Sequence, residues 1–328
     1  MPKKGFKYKS SLVAEEYVEK YPKHGSLTIA RLLIKDHPLL YTSLNSARSS
    51  VRAVRGTNGK RNRKAMNKNK TPIVQRALPK SSAKPRKPYS LSSGKTLVLS
   101  DIHIPYHDVK ALETALEYGD KWKPDNILLN GDTIDFYSIS RWQKDPEERN
   151  LAQEIEKTRQ FVLHLRDRFP KAQLIWKNGN HEDRWESYLW NKAPELCGMS
   201  DFEMRKILWL DDHGFDFVHS KQKIKAGKYL TIIHGHEVFG AHNPVNPART
   251  IATKLKVCAI KGHNHQTSEH TERTADDKYI ACWSTGCLSE LAPDYMPFNN
   301  WNHGFATIEL NRNDFEVDNY RIIDGKIR

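Results

Sequence analysis

The sequence is short of several features that would assign its class at once. Cysteine is scarce, with four in 328 residues (Cys197, Cys258, Cys282 and Cys287) and no CxxC pair among them. Cys282 and Cys287 stand close in sequence, but that spacing makes neither a disulfide framework nor a zinc knuckle, so reduced, buried thiols of a cytosolic protein are expected. No apolar run approaches the about 18 residues of a membrane-spanning helix. A mean hydropathy of −0.73 agrees, so no membrane partner is expected. The N-terminus, Met1-Pro2-Lys3-Lys4-Gly5-Phe6-Lys7, has no apolar stretch behind its positive charge, unlike a secretory leader. There is no internal repeat, no P-loop and no GxGxxG fingerprint. The length suits one large domain or two smaller ones, with ample material for a core.

A more informative shortage is that of acidic residues early in the chain. The net charge is +14 overall, but residues 1–90 hold 22 Lys and Arg against 4 Asp and Glu, whereas residues 91–328 hold 31 against 35. The basic excess therefore belongs to an arm, which suggests a polyanion-binding element joined to a body with a different task. Within the arm, residues 57–92 contain no acid at all and eleven basic residues, beginning with Lys60, Arg61, Arg63 and Lys64. Such a stretch cannot bury enough apolar surface to fold alone and reads as a flexible linker. Ahead of it, residues 1–56 read as a small helical domain. Ser11 is placed to cap a first helix to about Tyr21, Ser26 a second, and Ser43 a third that Gly56 closes. On the third helix Leu44, Ala47, Val51 and Val54 form one stripe, and Arg48, Arg52 and Arg55 form another on a different face. The unit resembles a helix-turn-helix DNA-binding module. A solvated basic face on a structural subdomain would carry the same residues, but the acid-free linker tips the reading towards a nucleic-acid backbone, DNA before RNA.

From residue 93 onwards short apolar runs alternate with helical segments, the pattern of an α/β body. Five of the runs stop at clusters of polar residues. Ser100 leads to Asp101-Ile102-His103, Asn130 to Gly131-Asp132-Thr133-Ile134-Asp135, and Lys177 to Asn178-Gly179-Asn180-His181-Glu182. Ile233 leads to His234-Gly235-His236, and Lys261 to Gly262-His263-Asn264-His265. Ligands of open α/β sheets gather beyond the carboxyl ends of strands, so five clusters in this register can converge. Carboxylate, imidazole and amide donors suit divalent ions, and because most of these donors are neutral, two ions would leave a net positive site that attracts phosphate.

The series D-x-H, G-D-x-x-D, G-N-H-E, H and G-H-x-H, in that order over about residues 95–310, resembles the calcineurin-like metallophosphoesterase superfamily. The resemblance implies an α/β fold, a β-sandwich flanked by helices, over residues 93–328. It implies two divalent ions, Mn²⁺ first, with Fe²⁺, Zn²⁺ and Ni²⁺ as alternatives. One would be held by Asp101, His103, Asp132 and His265, the other by Asp132, Asn180, His234 and His263, with Asp132 bridging. A hydroxide between the ions would attack phosphorus, His181 would serve at the leaving oxygen, and Asp135 would orient His181. In Ser/Thr protein phosphatases of this superfamily the second motif continues with Arg-Gly, whereas Phe136-Tyr137 stand here. That departure points to phosphodiesterase-like and bacterial or phage-type members.

Other residues have plainer readings. His236 sits beside the ligands, His107 and His242 belong to the cleft or to loops, and His303 is structural. Glu182, Asp183 and Arg184 read as a helix start, Arg249 as a helix-start or phosphate-contacting residue, and Trp185 and Trp190 as packing residues. The function expected is a metal-dependent phosphodiesterase or nuclease acting on DNA in the cytoplasm of a bacterial or phage-infected cell. A phosphomonoesterase of small molecules or nucleotides, and a DNA-binding protein with an inactive phosphoesterase fold, are the alternatives. The oligomeric state is open.

Overall fold

A computed structural model describes residues 9–56, 78–143, 145, 147, 149–238, 245–312 and 314–328. Lys60, Arg61, Arg63, Lys64 and His242 lie outside the described residues. The chain divides into two compact units between Ala83 and Lys84.

The first unit contains helices α1 (Lys9–Lys20), α2 (Ser26–Asp36) and α3 (Leu44–Arg55). Ala14, Ile29, Ala30, Leu33, Tyr41, Ala47 and Val51 close its core. Two expected caps are corrected. α1 begins ahead of Ser11, and Ser26 is the first helical residue of α2, behind Gly25, with no side-chain cap. Ser43 does cap α3, its Oγ accepting the Ser46 N–H at 3.2 Å. A cap of that kind contributes about 1 kcal/mol.

The second unit is a sandwich of two sheets. Its strands are β1 (Tyr89–Leu91), β2 (Gly94–Leu99), β3 (Asn126–Asn130), β4 (Gln173–Lys177), β5 (Phe215–Val218), β6 (Ile224–Ala226) and β7 (Leu230–Ile232). They continue with β8 (Ala259–Lys261), β9 (Ser268–Arg273), β10 (Tyr279–Ser284), β11 (His303–Asn311), β12 (Asp314–Ile323) and β13 (Lys326–Ile327). One sheet runs β13-β12-β11-β2-β3-β4-β5 and the other β1-β6-β7-β8-β10-β9. Helices α4 (Val109–Trp122), α5 (Leu151–Arg168), α6 (Asp183–Lys192), α7 (Met204–Ile207) and α8 (Pro247–Leu255) complete the unit. β1 falls inside the stretch read as linker and pairs with β6, so the end of that stretch belongs to the body.

The central strands are apolar on both faces because both faces are covered. Val98, Leu128 and Ile175 point into the space between the sheets and meet Ile224, Leu230, Ile232 and Ile260. Their neighbours Leu97, Leu99, Ile127, Leu129, Leu174 and Trp176 point the other way and pack with Leu112, Leu116 and Ala115 of α4 and with Phe161, Val162 and Leu165 of α5. On the far side of the second sheet Ala248, Ile251 and Ala252 of α8 cover Ala259, Ile280 and Cys282. All four cysteines are free. Among the described residues no helix is long and apolar enough to cross a membrane.

Candidate metal centre

Sheet topology brings the five clusters together. β2, β3 and β4 are parallel neighbours, so their carboxyl ends deliver Asp101 and His103, Asp132 and Asp135, and Asn180 and His181 side by side. β7 and β8 are parallel neighbours in the facing sheet and deliver His234, His263 and His265. Backbone bonds run on past the strand ends. Asp101 N–H donates to Gly131 O at 3.1 Å, His103 N–H to Asp132 O at 2.9 Å, and Gly262 N–H to His234 O at 2.9 Å.

The donor atoms converge in a mostly buried cluster. Asp101, His103 and His265 offer atoms close enough to hold one ion, and Asp132, His234 and His263 offer a second set. His265 Nε2 lies 3.3 Å from Asp101 Oδ1, and His234 Nε2 lies 3.1 Å from Asp132 Oδ2. Asp132 Oδ2 is also 4.0 Å from His103 Nε2, which puts it between the two sets. Tautomers are fixed from behind. His103 Nδ1 faces Asp135 Oδ2 at 2.9 Å and His234 Nδ1 faces Asn130 O at 2.8 Å, so in both rings Nε2 is the nitrogen turned to the centre.

The residues fit divalent cations on two observations. Asn180 Oδ1 and His234 Nε2 are buried without a hydrogen-bond partner, the latter in spite of its nearness to Asp132. The donor set, two carboxylates with imidazoles and an amide, is also one that such ions take. The charges press in the same direction. Burial lowers the pKa of His234, but Asp132 and then Asp101 outweigh it and raise it to about 9. Burial works against the Asp101 carboxylate, yet His265 and His234 bring it down to about 2. His263 goes the other way, lowered to about 3 by burial and by the charge of His234.

The backbone around the donors is unusual. Asp101, His103, Asp132, His263 and His265 all have positive φ, between 51° and 71°. Asp, Asn and His enter this region more readily than other side chains. Gly179 has a different reason to be glycine, since a Cβ there would run into the Asp132 carboxylate.

His181 sits at the rim, 3.8 Å from Asp132 Oδ2 through Nε2. Asp135 reaches both rings. Its carbonyl oxygen is 2.9 Å from His181 Nδ1, and its carboxylate, 3.3 Å from that atom, is closer to His103. Reading the sequence as a mere helix start missed two residues here. Glu182 is fully buried, and its carboxylate accepts the backbone N–H groups of Asp132, Thr133 and Gly179 at 2.7–2.9 Å. Arg184 donates to Asp135 O at 2.8 Å and to His181 Nε2 at 2.9 Å. Lys177 and Glu237 form a further pair beneath the His234 turn, at 2.9 Å. Phe136, where phosphatases carry arginine, is buried and stacks on Trp185.

His236 lies 5.4 Å from His234 ring to ring, and His303 Nε2 donates to Ser289 O at 2.9 Å. Arg249 is exposed on α8. Trp185 packs in the core, but Trp190 is 59% exposed, which corrects its reading as a packing residue. In the first unit Arg52 is exposed, Arg48 is half-buried, and Arg55 is tied to Tyr21 O and Ser26 Oγ.

The sandwich and its cluster of candidate metal ligands are those of a metallophosphoesterase-type protein. The family model described as calcineurin-like phosphoesterase matches residues 94–301, and the chain belongs to that family. It is similar to the gene 54 protein of Mycobacterium phage L5, 28% identical over 249 residues that cover 71% of this chain and 96% of the relative. The gene 54 protein of Mycobacterium phage D29 matches at 28% over 250 residues, with the same coverage. Among solved structures it is similar to wild-type Vps29 complexed with Zn²⁺ from Entamoeba histolytica (TM-score 0.38, 16% identity, 71% of this chain and 96% of that one). It is also similar to YfcE, a phosphoesterase from E. coli (TM-score 0.32, 16% identity, 68% and 98%).

Proposed function

We propose that this protein hydrolyses phosphodiesters of nucleic acid, using two divalent cations held by the donor sets that share Asp132. Asp101, His103, Asp132 and His265 hold one cation, and Asp132, Asn180, His234 and His263 the other. Mn²⁺ is the first candidate for this mixture of oxygen and imidazole donors, ahead of Fe²⁺, Zn²⁺ and Ni²⁺. The position of Asp132 between the two sets is the observation that carries the reading. Bound cations polarise a phosphoryl oxygen and bring the pKa of coordinated water towards neutrality.

The chain's own residues supply the rest. Asp135 holds His181 through its carbonyl oxygen, which leaves Nε2 to meet the leaving oxygen. Burial disfavours the His181 cation, but Asp132 and Asp135 outweigh it and its pKa is raised, which suits a group that donates a proton near neutral pH. Once Nε2 carries a proton, Arg184 must give up its bond to that nitrogen, and its Nη2 is then free to meet a phosphate oxygen while Nη1 stays on Asp135. The buried Phe136 in place of arginine supports a diesterase over a protein phosphatase.

The basic N-terminal arm supplies the nucleic acid, DNA first, through exposed Arg52 and the Lys and Arg of the acid-free stretch. Relatives encoded by mycobacteriophages favour a phage-infected bacterial cell as the setting. The test is a panel in Mn²⁺ of a chromogenic phosphodiester, DNA and a phosphomonoester, run on the full chain and on a form lacking residues 1–83, which keeps β1 whole. Diester hydrolysis that chelation abolishes, with DNA cleavage weakened by the truncation, is expected. Hydrolysis of the monoester alone, or full rates without metal, overturns the reading.

A further inference from the structure

A strip of aromatic rings leads outwards from the metal centre. The Trp301 ring meets His265 edge-on, with centroids 4.1 Å apart, and Tyr295 meets Trp301 at 6.3 Å. Burial first, and then the charge of Asp135, push the Tyr295 phenol up to about 12. Yet Tyr295 is 68% exposed, and Phe298, three residues on, is 96% exposed. Large rings left in water next to a reaction centre invite an apolar ligand.

The loop that carries them is held in shape. Asn299 Nδ2 donates to Leu291 O at 2.6 Å and to Met296 O at 2.8 Å, while its Oδ1 accepts the Trp301 N–H at 2.9 Å. Asn302 N–H donates to His265 O at 2.9 Å, which ties the base of the loop to a metal ligand. The rings are therefore displayed before any ligand arrives.

We propose that the 291–301 loop stacks the nucleobase next to the reacting phosphate, which makes single-stranded nucleic acid the substrate class. The proposal rests on the phosphodiesterase reading above. A phosphate over the metal ligands puts its own base one sugar away, and the Trp301–Tyr295 strip begins one ring beyond His265. Every base has a π-face, so the contact is tolerant of sequence but needs an unpaired base, which a duplex does not present. A peptide or lipid would leave unexplained why the rings start at a metal ligand.

Two measurements test this. The first compares thymidine 5′-(p-nitrophenyl phosphate) with methyl p-nitrophenyl phosphate, two diesters that share a leaving group and differ by a nucleoside in place of methyl, so that the change of their ratio in a ring variant isolates the stacking contact. In wild type kcat/KM favours the thymidine ester. Tyr295→Ala lowers the ratio of the two kcat/KM values by about five- to 150-fold, the span of one base–aromatic stack, and Tyr295→Phe restores it. A ratio near one in wild type, or unchanged in Tyr295→Ala, overturns the proposal.

The second uses no metal. All eight tryptophans lie beyond residue 83, so quenching of their emission by short dT or U oligonucleotides in EDTA reports the second unit and not the arm. Quenching that Trp301→Phe reduces is expected, and the stronger of the two oligonucleotides identifies DNA or RNA. Equal quenching in wild type and Trp301→Phe, or by an equal length of duplex, overturns stacking. If neither ester is hydrolysed while the quenching stands, it is the phosphodiesterase reading that fails.

Discussion

Lys177→Met is the sharpest probe of how the centre is supported from below. Lys177 is fully buried, and its Nζ contacts Glu237 Oε1 at 2.9 Å and the carbonyl oxygens of Ser220 and Gln222. Burial works against the Glu237 carboxylate, but Lys177 first, and then His236 and His234, bring its pKa down from 4.5 to about 2. At 1.36 kcal/mol per unit that depression is worth about 3 kcal/mol, close to the about 3–5 kcal/mol for removing one partner of a buried pair. The folded pKa is the depressed one, so this stability is present above pH about 4.5 and is lost as pH falls towards 2. Lys177→Met should therefore unfold more easily in urea at pH 7, by up to about 3 kcal/mol since His236 and His234 share in that depression, with Tm lower by up to roughly 6–12 °C. The gap to wild type should narrow as the buffer is taken from pH 5 towards pH 3. Glu237 also accepts the N–H groups of His234 and Gly235, so metal affinity should weaken with stability. Lys177→Met/Glu237→Gln should recover part of the loss. A single variant within about 0.5 kcal/mol of wild type at pH 7, or a double variant no better than the single, would refute the reasoning.

Three further predictions concern function. His181→Ala keeps its metal, measured by elemental analysis, while turnover falls about 10²–10⁴-fold. Gly179→Ala pushes against the Asp132 carboxylate, so calorimetric titration should show weaker metal binding, and stability should fall by about 1–3 kcal/mol. Arg52→Ala weakens DNA binding by the full chain across sequences and lowers the slope of log K against log salt by about one unit, whereas wild-type salt dependence would remove Arg52 from the interface.

Much of the body was legible because its signals are local. Asn126–Asn130 and Gln173–Lys177 are apolar runs that end where the candidate ligands begin, and both form strands with those bounds. β9, Ser268–Arg273, has no apolar run to reveal it, because it is an edge strand paired on one side only. β1 was hidden in a basic stretch, since three residues carry no period and its partner β6 lies about 130 residues on. Glu182 and Arg184 failed for a similar reason. Glu182 suits a helix start and Arg184 falls in the first turn beside it, and only the approach of Asp132 and Asp135, some 50 residues earlier, gives them other work. The arm's expected role stays a matter of charge, which shows where a polyanion is welcome but no geometry for it.

The left-handed backbone at five of the donors bears on how the centre can be dissected. Alanine is the usual substitute for removing a ligand, but at Asp101, His103, Asp132, His263 or His265 it leaves a Cβ in a conformation that costs roughly 1–2 kcal/mol. An alanine variant there loses the donor and keeps the strain without the side chain that tolerated it. Glycine loses the donor and relieves the strain. The difference in metal affinity and stability between the two variants at one position therefore measures what the backbone contributes, apart from the ligand atom it presents.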